Sequence, residues 1–318
     1  MKHPARLAWQ ALLLVALLAL GGLLVATTAG HLQERGIRSG FDFLLEPAGF
    51  ALGESLLPFE SGDSTLRAFA AGLLNTLRVA LPGALLAVVV GVVVGFGRLG
   101  DNPLVRALAG VFVNGVRNVP LLLHLLAWYF ILTDLLPAAD AALRLAPGVF
   151  LSKSGLALPW WGEAGWELPE PAGFSIDGGA RLTPEYLALL IGLSTYSAAY
   201  IAETLRGAVQ ALPPGQRLSA LALGMTPRQA FVLVLLPQAW RAALPPVTSQ
   251  LLNLFKNASL AVAIGYPDLV SVAGTSLNQT GRAIECLLIV IGVYLLLSLL
   301  AAALSHRLEQ RSLRGMTP

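Results

Sequence analysis

Chemistry-bearing side chains are scarce in this chain and lie mostly inside apolar runs. Arg117, Asn118 and Pro120 interrupt one such run, and Lys256 with Asn257 interrupts another. Buried cations of this kind bind anions or pair with acids; they do not cleave bonds unaided. Ionisable groups within apolar spans are costly and therefore mark solute pathways or packing sites. Arg117 could meet a substrate carboxylate or a partner's acid, or it could be a structural arginine at a membrane edge. Lys256 and Asn257 fit a polar patch lining a cavity equally with a helix-packing hydrogen-bond network. Glu203 and Arg206, three residues apart, are spaced for a local ion pair.

Enzyme chemistry finds no foothold. The four histidines, at 3, 31, 124 and 306, are scattered, and the single cysteine, Cys286, excludes disulfides or multi-cysteine metal sites within the chain. The string from Gly148 to Lys153 and Ser154 resembles a phosphate loop but lacks the glycine before the lysine. Backbone amides need that glycine to cradle phosphate. The chain is expected to bind no cofactor or metal and to hydrolyse no ATP.

Membrane segments must position these residues. Of 318 residues, 56% are hydrophobic and only 12% charged, against about 25% charged in soluble domains. Mean hydropathy is +0.71 and the pI about 9.2. The arginines flank apolar segments, so this basicity points to a lipid bilayer and not to nucleic acid. A spanning helix needs about 20 apolar residues. Six segments qualify or nearly so: Leu7–Thr28, Ala68–Gly97, Leu104–Leu136, Glu185–Leu205, Ala242–Ile264 and Cys286–Ser305. The charge-free run from Leu7 to Gly30 exceeds a signal-peptide core, so it reads as a retained anchor, although cleavage near its end stays open.

Charge bias orients the spans. No acid occurs between Thr204 and Phe255, where Arg206, Arg217, Arg228 and Arg241 lie. Arg98 and Arg106 flank another turn, and Arg307, Arg311 and Arg314 fill the tail. These are expected in the cytoplasm, with both termini. The acid-rich segments 31–67 and 137–183 are expected outside, the second with Trp160, Trp161 and Trp166 near the interface. Both are long for structureless loops, so short interfacial helices are expected there. The organisation reads as a 1–30 anchor, a 31–67 external loop, a 68–305 core with an external insertion at 137–183, and a 306–318 tail.

One inner segment, residues 211–241, is apolar yet broken by Pro213, Pro214, Gly215, Gly224, Pro227 and Pro237. It is too broken for a lone spanning helix and too apolar for disorder. It reads as two short helices. The first starts near Gln216 and stops at Gly224. The second is capped by Thr226, with Pro227 in its first turn, and stops before Pro237. Such a hairpin must bury its apolar face on a partner or on its own bundle.

The pattern resembles the cytoplasmic motif of binding-protein-dependent ABC importer membrane subunits: Glu-Ala-Ala, three residues, Gly, nine residues, Ile, one residue, Leu-Pro. The matching positions are Leu218, Ser219, Ala220, Gly224, Val234, Leu236 and Pro237; Leu218 replaces the acid and Ser219 an alanine. RNVPLLLHLLAWYF (117–130), LNTLRVALPG (74–83), YSAAYIAETLRGAVQALPPGQ (196–216), LPPVTSQLLNLFKNASLAVAIGYPDLVSV (244–272), NQTGRAIE (278–285) and FDFLLEPAGFALGESLLPF (41–59) resemble polar amino acid permeases, the Q-type permease of general L-amino acid importers in particular. The resemblance covers roughly residues 40–305. It implies an all-α polytopic bundle of about six transmembrane helices with the ABC type I importer fold. It also implies an inner-membrane permease working with a dimer of ATP-binding subunits that hold ATP and Mg, an M-type second permease and a periplasmic amino acid-binding protein. The alternatives are an ion-gradient-driven amino acid carrier, which calls for paired intramembrane acids and repeat symmetry, and a membrane-embedded enzyme.

Overall fold

The structure, a computed structural model, describes residues 9–10, 12–16, 19–23, 26–27, 30, 39–162 and 165–314. The expected first span, 7–28, therefore falls largely outside the described residues, as do 31–38 of the first loop and the end of the tail.

Helix α1, Thr65–Leu99, starts where the Ser64 hydroxyl accepts the Arg67 amide. Helix α2, Pro103–Arg117, is capped by Asn102. Helix α3, Leu121–Phe130, continues into a π-helical turn at Ile131–Leu135. Helix α4 spans Pro184–Gln210, α5 Pro214–Ala222, α6 Pro227–Ile264, α7 Leu269–Thr280 and α8 Ala283–Arg314. Among the described residues α1, α4, α6 and the 283–303 part of α8 are each long and apolar enough to cross a membrane. The α2–α3 pair makes a fifth span if it counts as one.

That pair is the expected span over Leu104–Leu136, broken where Arg117, Asn118 and Pro120 interrupt it. Its halves bend by 106°. Pro120 supplies no amide hydrogen and disfavours helical backbone at the residue before it. Arg117 ends one helix and Pro120 caps the next, so the Arg117–Pro120 stretch is an elbow.

Helices α1 and α4 form the spine. Gly83, Ala87, Gly91 and Gly95 recur every four residues and put a small-residue stripe on one face of α1, all of it buried. A Cβ on Gly91 would lie 2.8 Å from Ile201 Cβ and 3.0 Å from the Ala198 carbonyl of α4. Small residues at this spacing let helix backbones approach where lipid supplies no hydrophobic drive. Val79, Leu125, Leu189, Leu193, Ile201, Leu254 and Tyr266 fill the core built around that pair.

Segment 41–59 is a strap with one 3-10 turn, Asp42–Leu45. Its Phe43 is buried against α1, α7 and α8 in a second cluster. Asn75 of α1 fixes it, donating to Glu54 O and Pro267 O at 2.9 Å each and accepting from the Leu56 amide at 3.1 Å. Glu54 also pairs with Arg78 at 2.5 Å and accepts the Thr183 hydroxyl at 2.5 Å.

Apart from a 3-10 turn at Ala139–Ala141, the 137–183 insertion is β structure where its length led us to expect short helices. Its strands are β1 Leu143–Ala146, β2 Val149–Ser152, β3 Gly155–Leu158, β4 Trp160–Gly162, β5 Gly165–Glu167, β6 Glu170–Ala172, β7 Ser175–Asp177 and β8 Ala180–Leu182. An antiparallel sheet in the order β1-β2-β3-β8 carries two hairpins, β4–β5 and β6–β7. Turn glycines in the left-handed region at 148, 155, 165, 173, 178 and 179 chop the segment into pieces too short for helices and well suited to hairpins.

Candidate functional site

Two places collect the singled-out residues: the hairpin before α6, and a charge cluster where α1, α2 and α4 end.

In the hairpin, Pro214 opens α5 at a position that needs no amide donor. Gly224 closes it at φ +83°. The Met225 amide reaches back to Ala220 O (3.2 Å) and the Gly224 amide to Leu221 O (3.0 Å). These two bonds are a Schellman close, which places a left-handed residue at Gly224. One residue after Met225, Thr226 and Gln229 make a reciprocal capping box that starts α6. Gln216, Leu218, Ser219 and Gly224 are exposed, Ala220 is buried, and Val234 and Leu236 are half-buried. Leu218 and Leu223 are 65% and 81% exposed, an apolar surface without cover in this chain.

The second helix does not stop before Pro237. It runs through to Ile264, because residues 230–235 are wound as a π-helix. The Leu236 amide bonds to Phe231 O in the wider turn. This widening accommodates Pro237, which lacks a donor. Gln238 Nε2 caps Val234 O at 2.8 Å, and lies 3.5 Å from Gln216 Oε1 in α5.

In the cluster, Glu203 of α4 receives Arg206 through Nη2 at 2.5 Å and Nε at 3.1 Å, and also Arg98 from the last turn of α1. Arg117, the last residue of α2, stands 3.9 Å away through Nη1. One carboxylate thus faces three guanidiniums. Arg117 is the least satisfied of them: its Nε is buried with no partner, and its guanidinium lies 5.0 Å over the Tyr200 ring. From there a half-buried polar strip runs along α4. Tyr200 and Tyr196 hydroxyls are 3.3 Å apart, the Tyr196 ring meets His124 at 6.3 Å, and His124 Nε2 lies 2.9 Å from Thr195 Oγ1.

Asn118 caps α2 and Pro120 caps α3; both are exposed at the elbow. Lys256 is exposed and Asn257 half-buried where α6 tightens to a 3-10 helix at Ala258–Ile264. No hydrogen bond or ion pair joins them to Arg117 among the described residues. Sequence reasoning singled out Arg117, Glu203 and Arg206. It missed Arg98, whose partner is 105 residues away, and the Tyr196–Tyr200 pair, which its four-residue helical spacing could have flagged. No group of three or more metal-ligating side chains is gathered among the described residues.

Residues 87–314 match the family model of the binding-protein-dependent transport system inner membrane component. The chain is 36% identical to YhdX of Escherichia coli over 97% of its length and 95% of that protein. It is 35% identical to the general L-amino acid transport system permease protein AapQ of Rhizobium johnstonii, over 92% of its length and 88% of the relative. A crystal structure of an amino acid ABC transporter with histidines shares the fold at a TM-score of 0.59 and 24% identity, covering 77% of this chain and 94% of that one. An inward-facing MetNI methionine ABC transporter does so at 0.54 and 18%, covering 78% and 97%. This chain belongs to the binding-protein-dependent transport system inner membrane component family, the permease subunits of ABC transporters.

Proposed function

We propose that this chain is the inner-membrane permease through which an ABC importer brings L-amino acids into the cell. A periplasmic binding protein delivers the amino acid; a dimer of ATP-binding subunits, holding ATP and Mg, drives the cycle; and an M-type permease completes the pathway. The observation that carries this reading is the exposed hairpin 214–237, whose Gly224-to-Pro237 spacing is that of the motif through which such permeases meet their ATPase. The amino acid substrate is supported by relatives such as AapQ and the glutamate/glutamine/aspartate/asparagine permease protein BztB of Rhodobacter capsulatus. The ion-driven alternative has no comparable support.

In this reading the Glu203 end of the bundle, the hairpin and both termini are cytoplasmic, and the strap and insertion are periplasmic. The chain divides into the 1–30 anchor, the 31–67 loop, the 68–305 core and the 306–318 tail. Gln216, Leu218, Ser219, Ala220, Gly224, Val234, Leu236 and Pro237 form the coupling element. Leu218 in place of the motif's acid makes that contact apolar. Arg117 lines the pathway and takes the substrate's carboxylate; Asn118 and Pro120 shape its elbow, and Lys256 with Asn257 lines the facing side.

Uptake of a labelled amino acid panel by the complex reconstituted in liposomes tests this. ATP-dependent accumulation of L-amino acids supports it; accumulation driven by an ion gradient without ATP or the ATPase overturns it. Two variants probe the parts. Gly224→Val forces a β-branched residue into left-handed backbone, at roughly 1–2 kcal/mol, and opens the Schellman close. We expect ATP-driven uptake to fall about tenfold with the ATPase subunit still expressed. Unchanged uptake would count against the hairpin's role. Arg117→Ala removes a charge-assisted hydrogen bond worth about 1.5–3 kcal/mol. We expect the half-saturating substrate concentration to rise at least about tenfold with the assembled complex intact; unchanged kinetics would make Arg117 structural.

A further inference from the structure

The insertion has a built polarity. Strand β8 ends at Leu182 and Thr183 caps α4 directly, so that end of the sheet is rooted on the bundle. Gly155, at the start of β3, touches Leu182 O, and the Lys153 amide bonds to Pro137 O at 2.9 Å, so the β2–β3 turn is also at the rooted end. Strand β3 pairs antiparallel to β8 and therefore runs away from the bundle. At its far end Gly148 packs on Leu168, Pro159 and Pro169, and Gly179 meets Leu158 O and Pro169. Both hairpins spring from this remote end.

What they display is aromatic and acidic. In β4–β5, Trp160 pairs with Glu167 and Trp161 with Trp166. Adjacent residues of a strand point to opposite faces, so Trp160 lies on one face of the ribbon and Trp161 with Trp166 on the other. All three are more than 60% exposed, so neither face packs on the sheet, and Phe174, in the β6–β7 turn, is 94% exposed. Residues 159–179 contain Glu163, Glu167, Glu170 and Asp177 and no lysine or arginine.

We propose that this acidic aromatic crown, the described residues of the β4–β5 and β6–β7 hairpins, is a docking surface for the soluble binding protein, which would present an apolar patch ringed by basic residues. The assignment rests on the importer reading, which puts the insertion outside. Three exposed tryptophans offer on the order of 400 Å² of contact area, about half of the ~800 Å² that one partner contributes to a stable interface. Tryptophan is also a membrane-interface residue, but a lipid contact belongs at the rooted end, whereas the crown sits a strand length, roughly 10 Å, beyond it. Glu167, Glu170 and Asp177 outnumber the one nearby cation, Arg181, whose guanidinium donates to Ile176 O at 2.7 Å, so the crown stays net acidic, selects a basic partner and steers its approach.

The test is ATPase activity of the reconstituted complex, titrated with its cognate binding protein. For Trp160→Ala/Trp161→Ala/Trp166→Ala we expect the half-maximal binding-protein concentration to rise at least tenfold, with basal and maximal activity unchanged. Glu170→Lys/Asp177→Lys changes only exposed side chains, so it decides the matter if the tryptophan variant fails to assemble. We expect a rise of about fivefold at low salt that shrinks at high salt. Wild-type titration curves for the charge variant would overturn the assignment. So would quenching of the crown tryptophans by brominated lipids in a Trp9→Phe/Trp128→Phe/Trp240→Phe background. If the binding protein does not stimulate even the wild type, the importer reading itself fails, a result distinct from these two.

Discussion

Gly91→Leu leaves no properly packed permease. The Cβ alone would sit 2.8 Å from both Cβ and Cγ2 of Ile201 and 3.0 Å from the Ala198 carbonyl. A real Cβ does not approach a neighbour so closely, and Ala198 O is backbone in the middle of α4, so it cannot swing aside. The two helices would have to separate, and the neighbouring contact of Gly95 with Ala202 and Leu205 would go with them. Overpacking in a well-filled core costs typically 1–3 kcal/mol; here the helix pair that organises the core is pried apart, so the upper end or beyond is expected. The measurement is the yield of monodisperse complex and its melting temperature in detergent. A drop of several degrees or complete loss is expected. Gly292→Leu, on α8 with nothing within 4 Å of its Cβ, is the control and should behave as wild type. Equal behaviour of the two variants would show that α1 and α4 do not approach as closely as described.

The contrast between that stripe and the rest of the molecule explains what could be read from the sequence. Long apolar runs bounded by charge disclosed the spans that fall among the described residues, because bilayer thickness imposes a length that few soluble elements reach. The hairpin was legible for the opposite reason: Pro214, Gly224, Thr226 and Pro227 each have a strong backbone preference, and they agree. Pro237 misled because a proline's missing donor ends an α-helix but fits beside a π-helical turn, and nothing in the local residue types marks a π-helix. The 137–183 insertion misled because strands of three or four residues are too short to show a period, so only their turn glycines carried information. The cluster at Glu203 was half legible. A pair three residues apart on one helix is visible in the sequence, whereas Arg98 and Arg117 arrive from helices whose ends meet Glu203 only in the folded bundle.

That cluster yields the second large effect. Glu203→Gln preserves shape and removes the one carboxylate shared by Arg98, Arg117 and Arg206. The three guanidiniums, previously offset in part, would face one another with no anion between them. Breaking a buried ion pair by deleting one partner costs about 3–5 kcal/mol. Glu203 keeps 24% of its side-chain surface exposed, so solvent screening reduces that to roughly 1–3 kcal/mol. We expect a melting temperature several degrees lower, recovering partly in high salt, where like-charge repulsion is screened. The decisive comparison is the double variant Glu203→Gln/Arg98→Gln. If repulsion among the arginines is the cause, removing one of them restores a large part of the lost stability. If the loss comes from the hydrogen bonds that Glu203 accepts, the double variant is no better than the single one. A pathway role for Arg117 adds a further expectation. Loss of its acidic neighbour would leave its guanidinium freer to hold an incoming carboxylate. Glu203→Gln should therefore lower the half-saturating amino acid concentration as it lowers stability, whereas a purely structural Arg117 would leave that concentration unmoved.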